Sequence, residues 1–141
     1  MTQALNIVGA PARGEPRRDL GPAIRRGFSL RCPQCGEGQM FRAYLKVADR
    51  CPVCGEDLSH QRADDAPAYL TMFIVGHFIV AGILAGEDIW PNSSICLVDF
   101  LACAAATLAS LWLLPRIKGA LIGYQWAMRM HGFGGPQKEF I

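Results

Sequence analysis

Two apolar runs limit what this chain can fold into more than any other feature. From Ala66 to Gly86 the sequence reads APAYLTMFIVGHFIVAGILAG, 21 residues without a Lys, Arg, Asp or Glu. As a helix rising about 1.5 Å per residue it covers about 31 Å, the depth of one bilayer core. From Ile95 to Leu114 runs ICLVDFLACAAATLASLWLL, 20 residues whose single charge is Asp99, for about 30 Å by the same rise. Helices that are apolar on every side need lipid or a large core to cover them, and nothing else in 141 residues is big enough to do so. The runs predict a transmembrane hairpin. A helical hairpin buried in a soluble domain is the competing reading, since both runs are rich in Ala and Gly.

Charge follows the same division. All fourteen Lys and Arg residues lie outside Pro67 to Pro115, so the net charge of +2 describes no general basic surface. Ten precede the first run and four follow the second, while the connection EDIWPNSS, Glu87 to Ser94, has two acids and no base. By the positive-inside rule both termini are then cytoplasmic and the loop is outside. Tyr69, Trp90 and Trp112 stand where aromatic belts form at bilayer boundaries. Beyond Pro115, RIKGALIGYQWAMRMHGFGG sets Lys118, Gln125 and Arg129 along one helical side, which reads as an interfacial amphipathic helix. The alternative is continuation of the second span past a proline kink.

The strongest chemical signal precedes the hairpin. RCPQCG and CPVCG place Cys32, Cys35, Cys51 and Cys54 as C-x2-C, a gap of fifteen, then C-x2-C, a zinc-site spacing. Two intervening residues let both sulfurs of a knuckle reach one ion, and Gly36 and Gly55 permit the tight turn after each pair. Four thiolates on a divalent ion leave a charge of about −2, which Arg31 and Arg50 would partly offset. A closed thiolate shell has no open position for water, so structural zinc is favoured over catalytic zinc. Iron is the alternative metal, because tetrahedral sulfur suits both. Two disulfides and a redox-active C-x-x-C are weaker readings. No charged leader with an apolar run and cleavage site opens the sequence, and the topology puts these thiols in a reducing compartment. The run Met40 to Val47 suits a short strand or hairpin, in a module that folds largely through its metal.

The expected class is membrane α: a two-helix transmembrane hairpin with a small N-terminal four-cysteine zinc-ribbon-like module and a C-terminal amphipathic helix. Residues 1–27, rich in Arg, Pro and Gly, are expected to be a disordered basic arm. Residues 28–62 form the ribbon, 63–115 the hairpin with spans 66–86 and 95–114, and 116–141 the interfacial helix and tail.

The strings RCPQCGEGQMF (Arg31 to Phe41), YLKVADRCPVCGEDL (Tyr44 to Leu58), DDAPAY (Asp64 to Tyr69), then two spans, then LPRIKGALIGYQW (Leu114 to Trp126) recur in this order in one family. Over about residues 28 to 133 the chain resembles the bacterial domain-of-unknown-function 983 family. The resemblance implies a zinc-ribbon-like head on two membrane helices in the bacterial inner membrane, and no established activity. Some members of that family are encoded beside haem-copper oxidase and oxidase-assembly genes, which implies a role around respiratory-complex biogenesis by association only.

Several polar residues remain. His77, mid-span, reads as a neutral imidazole bonded to a neighbouring helix, with a haem, metal or proton site as the sharper alternative. Asp99 joins Cys96, Cys103, Ala106, Thr107 and Ser110 in a small, polar stripe fit for helix packing, and Gly82 and Gly86 form a weak G-x-x-x-G that could receive it or a partner. Copper or haem held by Cys96, Cys103 and His77 is disfavoured, because the two cysteines sit about 10 Å apart along one helix. Asp64 and Asp65 read as caps of the first span rather than as a catalytic pair.

The expected function is therefore non-enzymatic: a zinc-bearing adaptor on the cytoplasmic face, contacting the bilayer and a membrane-protein partner, respiratory oxidase assembly components among the candidates. A homodimer is compatible with it. A membrane-tethered nucleic-acid-binding ribbon, drawing on Arg17, Arg18, Arg25 and Arg26, and an intramembrane haem or metal handler using His77 are the alternatives.

Overall fold

The computed structural model describes residues 18–91 and 94–134. Their elements run α1 (Leu20–Phe28), β1 (Phe41–Ala43), β2 (Lys46–Val47), α2 (Ala66–Ile89), α3 (Ile95–Ala127) and a 3-10 turn at Met130–Gly132. Pro67 sits in the first turn of α2, where a missing N–H costs nothing. Asp64 and Asp65 make no side-chain cap there. Instead the Asp65 carbonyl accepts from the amides of Ala68 and Tyr69.

Both α2 and α3 are long and apolar enough to cross a membrane. Little of their apolar surface is covered by the described residues: Phe78 is 75% exposed, Ile95 78%, Phe100 70% and Leu108 69%. Each such side chain left in water forgoes about 1.5–3 kcal/mol of burial. The buried residues of α2, Pro67, Thr71 and Val75, recur every four residues on one face of the helix. Farther along, α2 and α3 leave an apolar cleft of about 450 Å³ lined by Phe78, Gly82, Gly86, Leu101 and Ala105, among others. Gly82 and Gly86 have open space beside them, so the G-x-x-x-G closes on nothing within the described residues.

At 33 residues α3 is about 50 Å long, whereas one bilayer core is only about 30 Å thick. The surplus is the scaffold. All of the helix's buried residues, Ile117, Gly119, Ile122, Gly123, Gln125 and Trp126, lie past Pro115. The expected separate interfacial helix is therefore not formed: residues 116–127 continue α3. Its supposed polar face points at protein, since Lys118 and Gln125 both bond to the ribbon.

A second correction concerns the arm. Residues 1–17 lie outside the described residues, but Leu20–Phe28 is a helix, not disordered chain. Its stripe of Ala23 and Gly27 packs on Gly119 and Gly123 so closely that a side chain on Gly27 would strike the Gly119 carbonyl, and one on Gly123 the Ala23 carbonyl. Small residues one turn apart on both helices allow this backbone approach. Arg25 and Arg26 in the last turn of α1 suit the helix dipole. The Arg116 guanidinium lies over Trp112 at 4.2 Å and over Phe28 at 5.9 Å, joining the end of α1 to α3. One core results, of Ala23, Met40, Leu58, Ala63, Ile122, Trp126 and Phe133.

Gly123→Val is expected to undock α1, at a cost of about 1–3 kcal/mol from overpacking. Limited trypsin digestion reads this directly, because Arg25 and Arg26 sit in the packed helix: the variant should be cut there several-fold faster, and an unchanged rate would mean the contact does not hold α1.

Candidate metal centre

Each cysteine pair sits in a tight knuckle whose backbone is set by its glycine. The Gly36 amide donates to the Cys32 carbonyl at 2.9 Å and the Gly55 amide to that of Cys51 at 3.0 Å. Closing these turns needs φ of +76° at Gly36 and +75° at Gly55, a region side chains disfavour. Isolated antiparallel bridges, Arg31 with Gln39 and Arg50 with Asp57, pinch the base of each knuckle. Between them the chain makes the β1–β2 hairpin, with Phe41 opposite Val47 and Ala43 opposite Lys46.

The knuckles face one another, so the four sulfurs meet. Cys32 Sγ lies 3.7 Å from Cys54 Sγ, and Cys35 Sγ lies 3.8 Å from Cys51 Sγ. All four are within 4.8 Å of one another. A regular tetrahedron of thiolates about 2.3 Å from an ion has edges of about 3.8 Å, so the donor set fits a divalent ion bound by sulfur alone. Cys32 and Cys51 are buried, Cys35 is half-buried and Cys54 is at the surface. Gly38 is fixed by the same packing, because any side chain on it would overlap Cys51 Sγ; its amide lies 3.5 Å from Cys35 Sγ.

Loss of surrounding water raises the Cys32 and Cys54 thiols above their usual range. It acts on Cys35 in the same sense, but the amides of Gly38 and Glu37 and the facing thiols outweigh it and bring that group down to about 7. The site thus holds in Cys35 one sulfur that ionises more readily than usual, beside Cys32 and Cys54, which hold their protons more tightly.

The charges around the site are arranged differently from the expectation. Arg31 donates through Nη1 to the Glu37 carbonyl, bracing the first knuckle's backbone. Arg26, assigned from sequence to the arm, reaches from α1 to the carbonyls of Pro33 at 3.0 Å and Gln34 at 2.9 Å. The second knuckle is tied to α3: Trp126 Nε1 donates to Glu56 Oε1 at 2.7 Å, and Arg18 lies over the indole at 4.4 Å while donating to the carbonyls of Trp126 and Phe133. Gln125 grips the Arg62 backbone twice, its Nε2 donating to the carbonyl at 2.6 Å and its Oε1 accepting from the amide at 3.0 Å. Sequence reasoning missed the roles of Arg18, Glu56 and Trp126 because their partners are distant in the chain, and that of Arg26 because the helix carrying it was expected to be disordered. The Gly119–Gly123 spacing was the available clue that something packs on this stretch.

The other candidates are not brought together. Among the described residues the four cysteines are the group of His, Cys, Asp and Glu side chains with ion-binding geometry. His77 Nδ1 lies 2.9 Å from the Phe73 carbonyl one turn back, and its ring rests on Phe73 at 4.3 Å. Cys96, Cys103 and Asp99 are exposed on α3, and Asp99 borders a second cleft with Glu87 and Trp90.

The fold and the site define a small protein of two long apolar helices whose four-thiol head is docked on an extension of the second. The model of a family described as Protein of unknown function (DUF983) matches residues 41–126. That is more than half of the chain, which belongs to this family. The match begins after the first knuckle, so it takes in Cys51, Cys54 and both long helices, a narrower stretch than the resemblance read from the motifs. No curated protein and no solved structure matches the chain.

Gly38→Ala should weaken ion retention by about tenfold or more in competition with a chromophoric chelator, by displacing Cys51 Sγ; unchanged retention would contradict the packing. Apparent affinity should rise with pH. Cys35 ionises as pH climbs through about 7, while Cys32 and Cys54 give up protons on binding. More protons should therefore be released per ion at about pH 6 than at about pH 8 when unbuffered titrations are followed by pH electrode.

Proposed function

We propose that this is an integral membrane protein of the bacterial inner membrane whose zinc-bearing head, on the cytoplasmic face with both termini, serves as a docking adaptor for a membrane-protein partner. The observation behind it is the closed four-sulfur cluster locked to the end of a helix long enough to leave the bilayer. A shell of four protein ligands leaves no position for water or substrate, so the ion shapes a surface and performs no reaction. Colourless zinc is favoured over iron because the role is structural.

Membrane insertion is supported by the exposed Phe, Leu and Ile side chains along α2 and α3, which lipid would cover. Orientation follows from the bases flanking the hairpin and the acids Glu87 and Asp88 in its loop. The adaptor reading is preferred to a nucleic-acid reading because Arg18 and Arg26 are engaged with backbone carbonyls of the head and α3.

Purified full-length protein should be colourless, with about one zinc per chain by elemental analysis; visible absorbance with stoichiometric iron would overturn the metal assignment. Mild-detergent capture followed by mass spectrometry should recover a membrane-protein partner, with respiratory oxidase assembly components as the class to look for. Their absence from repeated captures would count against the oxidase part of this reading.

A further inference from the structure

Pro115 lies inside the continuous helix α3, where the helix leaves its apolar stretch. Proline has no N–H, so the carbonyl four residues earlier, that of Leu111, loses its helical donor and is crowded by the ring. In lipid no water can take the donor's place. Here the Tyr44 hydroxyl does: it donates to the Leu111 carbonyl at 2.9 Å. On the other side of Pro115, Lys118 Nζ donates to the Leu45 carbonyl at 3.0 Å. Leu111 and Lys118 are two turns apart on one side of the helix. Tyr44 and Leu45 are neighbours and form the turn of the β1–β2 hairpin, with Leu45 in the left-handed region at φ +59°. One tight turn thus grips α3 above and below Pro115.

That turn has little support of its own. Its strands are three and two residues long, too short to persist alone in water. The chain enters and leaves the hairpin through the two knuckles, whose Cys35 and Cys51 sulfurs lie 3.8 Å apart. The bonds from Gln125 to Arg62 and from Trp126 to Glu56 fall on the far side of Pro115 from the apolar stretch, whereas Tyr44 reaches across it.

We infer that the hairpin turn is a metal-dependent clasp on a hinge at Pro115. With an ion joining the four sulfurs, Tyr44 and Lys118 hold the head and the apolar hairpin in one orientation. Loss of the ion loosens the turn, leaves the Leu111 carbonyl without a donor and lets α3 flex at Pro115. The clasp rests on the four-thiolate reading of the site and adds what that site does to the helices beneath it.

Hydrogen–deuterium exchange of the full chain in lipid nanodiscs tests this, read over the α3 peptide that spans Leu111 to Gly119, with zinc content measured on every sample. Tyr44→Phe should keep its zinc and yet exchange about tenfold faster across that peptide, the effect of one lost hydrogen bond. Chelator stripping should speed the wild type at least as much and add little to the Tyr44→Phe protein. Lys118→Met should give a smaller increase with zinc retained. Unchanged exchange in zinc-loaded Tyr44→Phe, or stripping that leaves the wild-type peptide unaffected, would overturn the clasp. A wild type that binds no metal, beside a Tyr44→Phe protein that still exchanges faster, would show the four-thiolate reading to be the part that fails: the contact would stand and its dependence on metal would be refuted.

Discussion

Everything on the head side of this molecule depends on four sulfurs converging on one point. The ribbon contributes Met40 and Leu58 to the buried cluster, with Phe41 and Val47 half-buried against it; Ala63 just beyond the ribbon, α1, α3 and the following turn supply the rest, Ala23, Ile122, Trp126 and Phe133 among them. So few apolar residues cannot fix two knuckles and a five-residue sheet against conformational entropy. Joining Cys32, Cys35, Cys51 and Cys54 through an ion closes the loop between the knuckles at both ends, and the hairpin then has a defined place from which to reach α3.

The second support is α3 itself. One continuous helix is exposed and apolar over its first part and packed against protein over its last. In its final turns five residues each meet a part of the head: Lys118 takes the hairpin turn, Gly119 and Gly123 take α1, Gln125 takes Arg62 and Trp126 takes Glu56. Arg26 returns from α1 to the first knuckle, closing a circuit of helix, helix and ribbon. A head fixed at this many points moves with its helix, which is what a docking surface needs if it is to present one shape.

The features legible in sequence were those whose cause is local. An uncharged run of the right length and a doubled C-x2-C with following glycines each act through neighbouring residues, and the two long helices and the four-sulfur cluster appear where those patterns put them. The α1 helix was not legible, because its contact stripe is Ala23 and Gly27, residues that add little to any apolar count. What holds them is a close backbone approach to a helix roughly a hundred residues later. The end of α3 was misjudged for a related reason. Lys118 and Gln125 form a polar side in either reading, and only the folded partner reveals that the side meets carbonyls rather than headgroups. Conversely Gly82 and Gly86 matched a packing motif but face open space, since spacing alone supplies no partner.

X-ray absorption at the metal edge of the purified full-length protein examines the central claim most directly, because it reports the ligands themselves. The account predicts four sulfur scatterers about 2.3 Å from the metal and no nitrogen or oxygen in the first shell. A shell containing a nitrogen or oxygen ligand, or fewer than four sulfurs, would contradict the closed site on which the head's fold and its proposed role both stand.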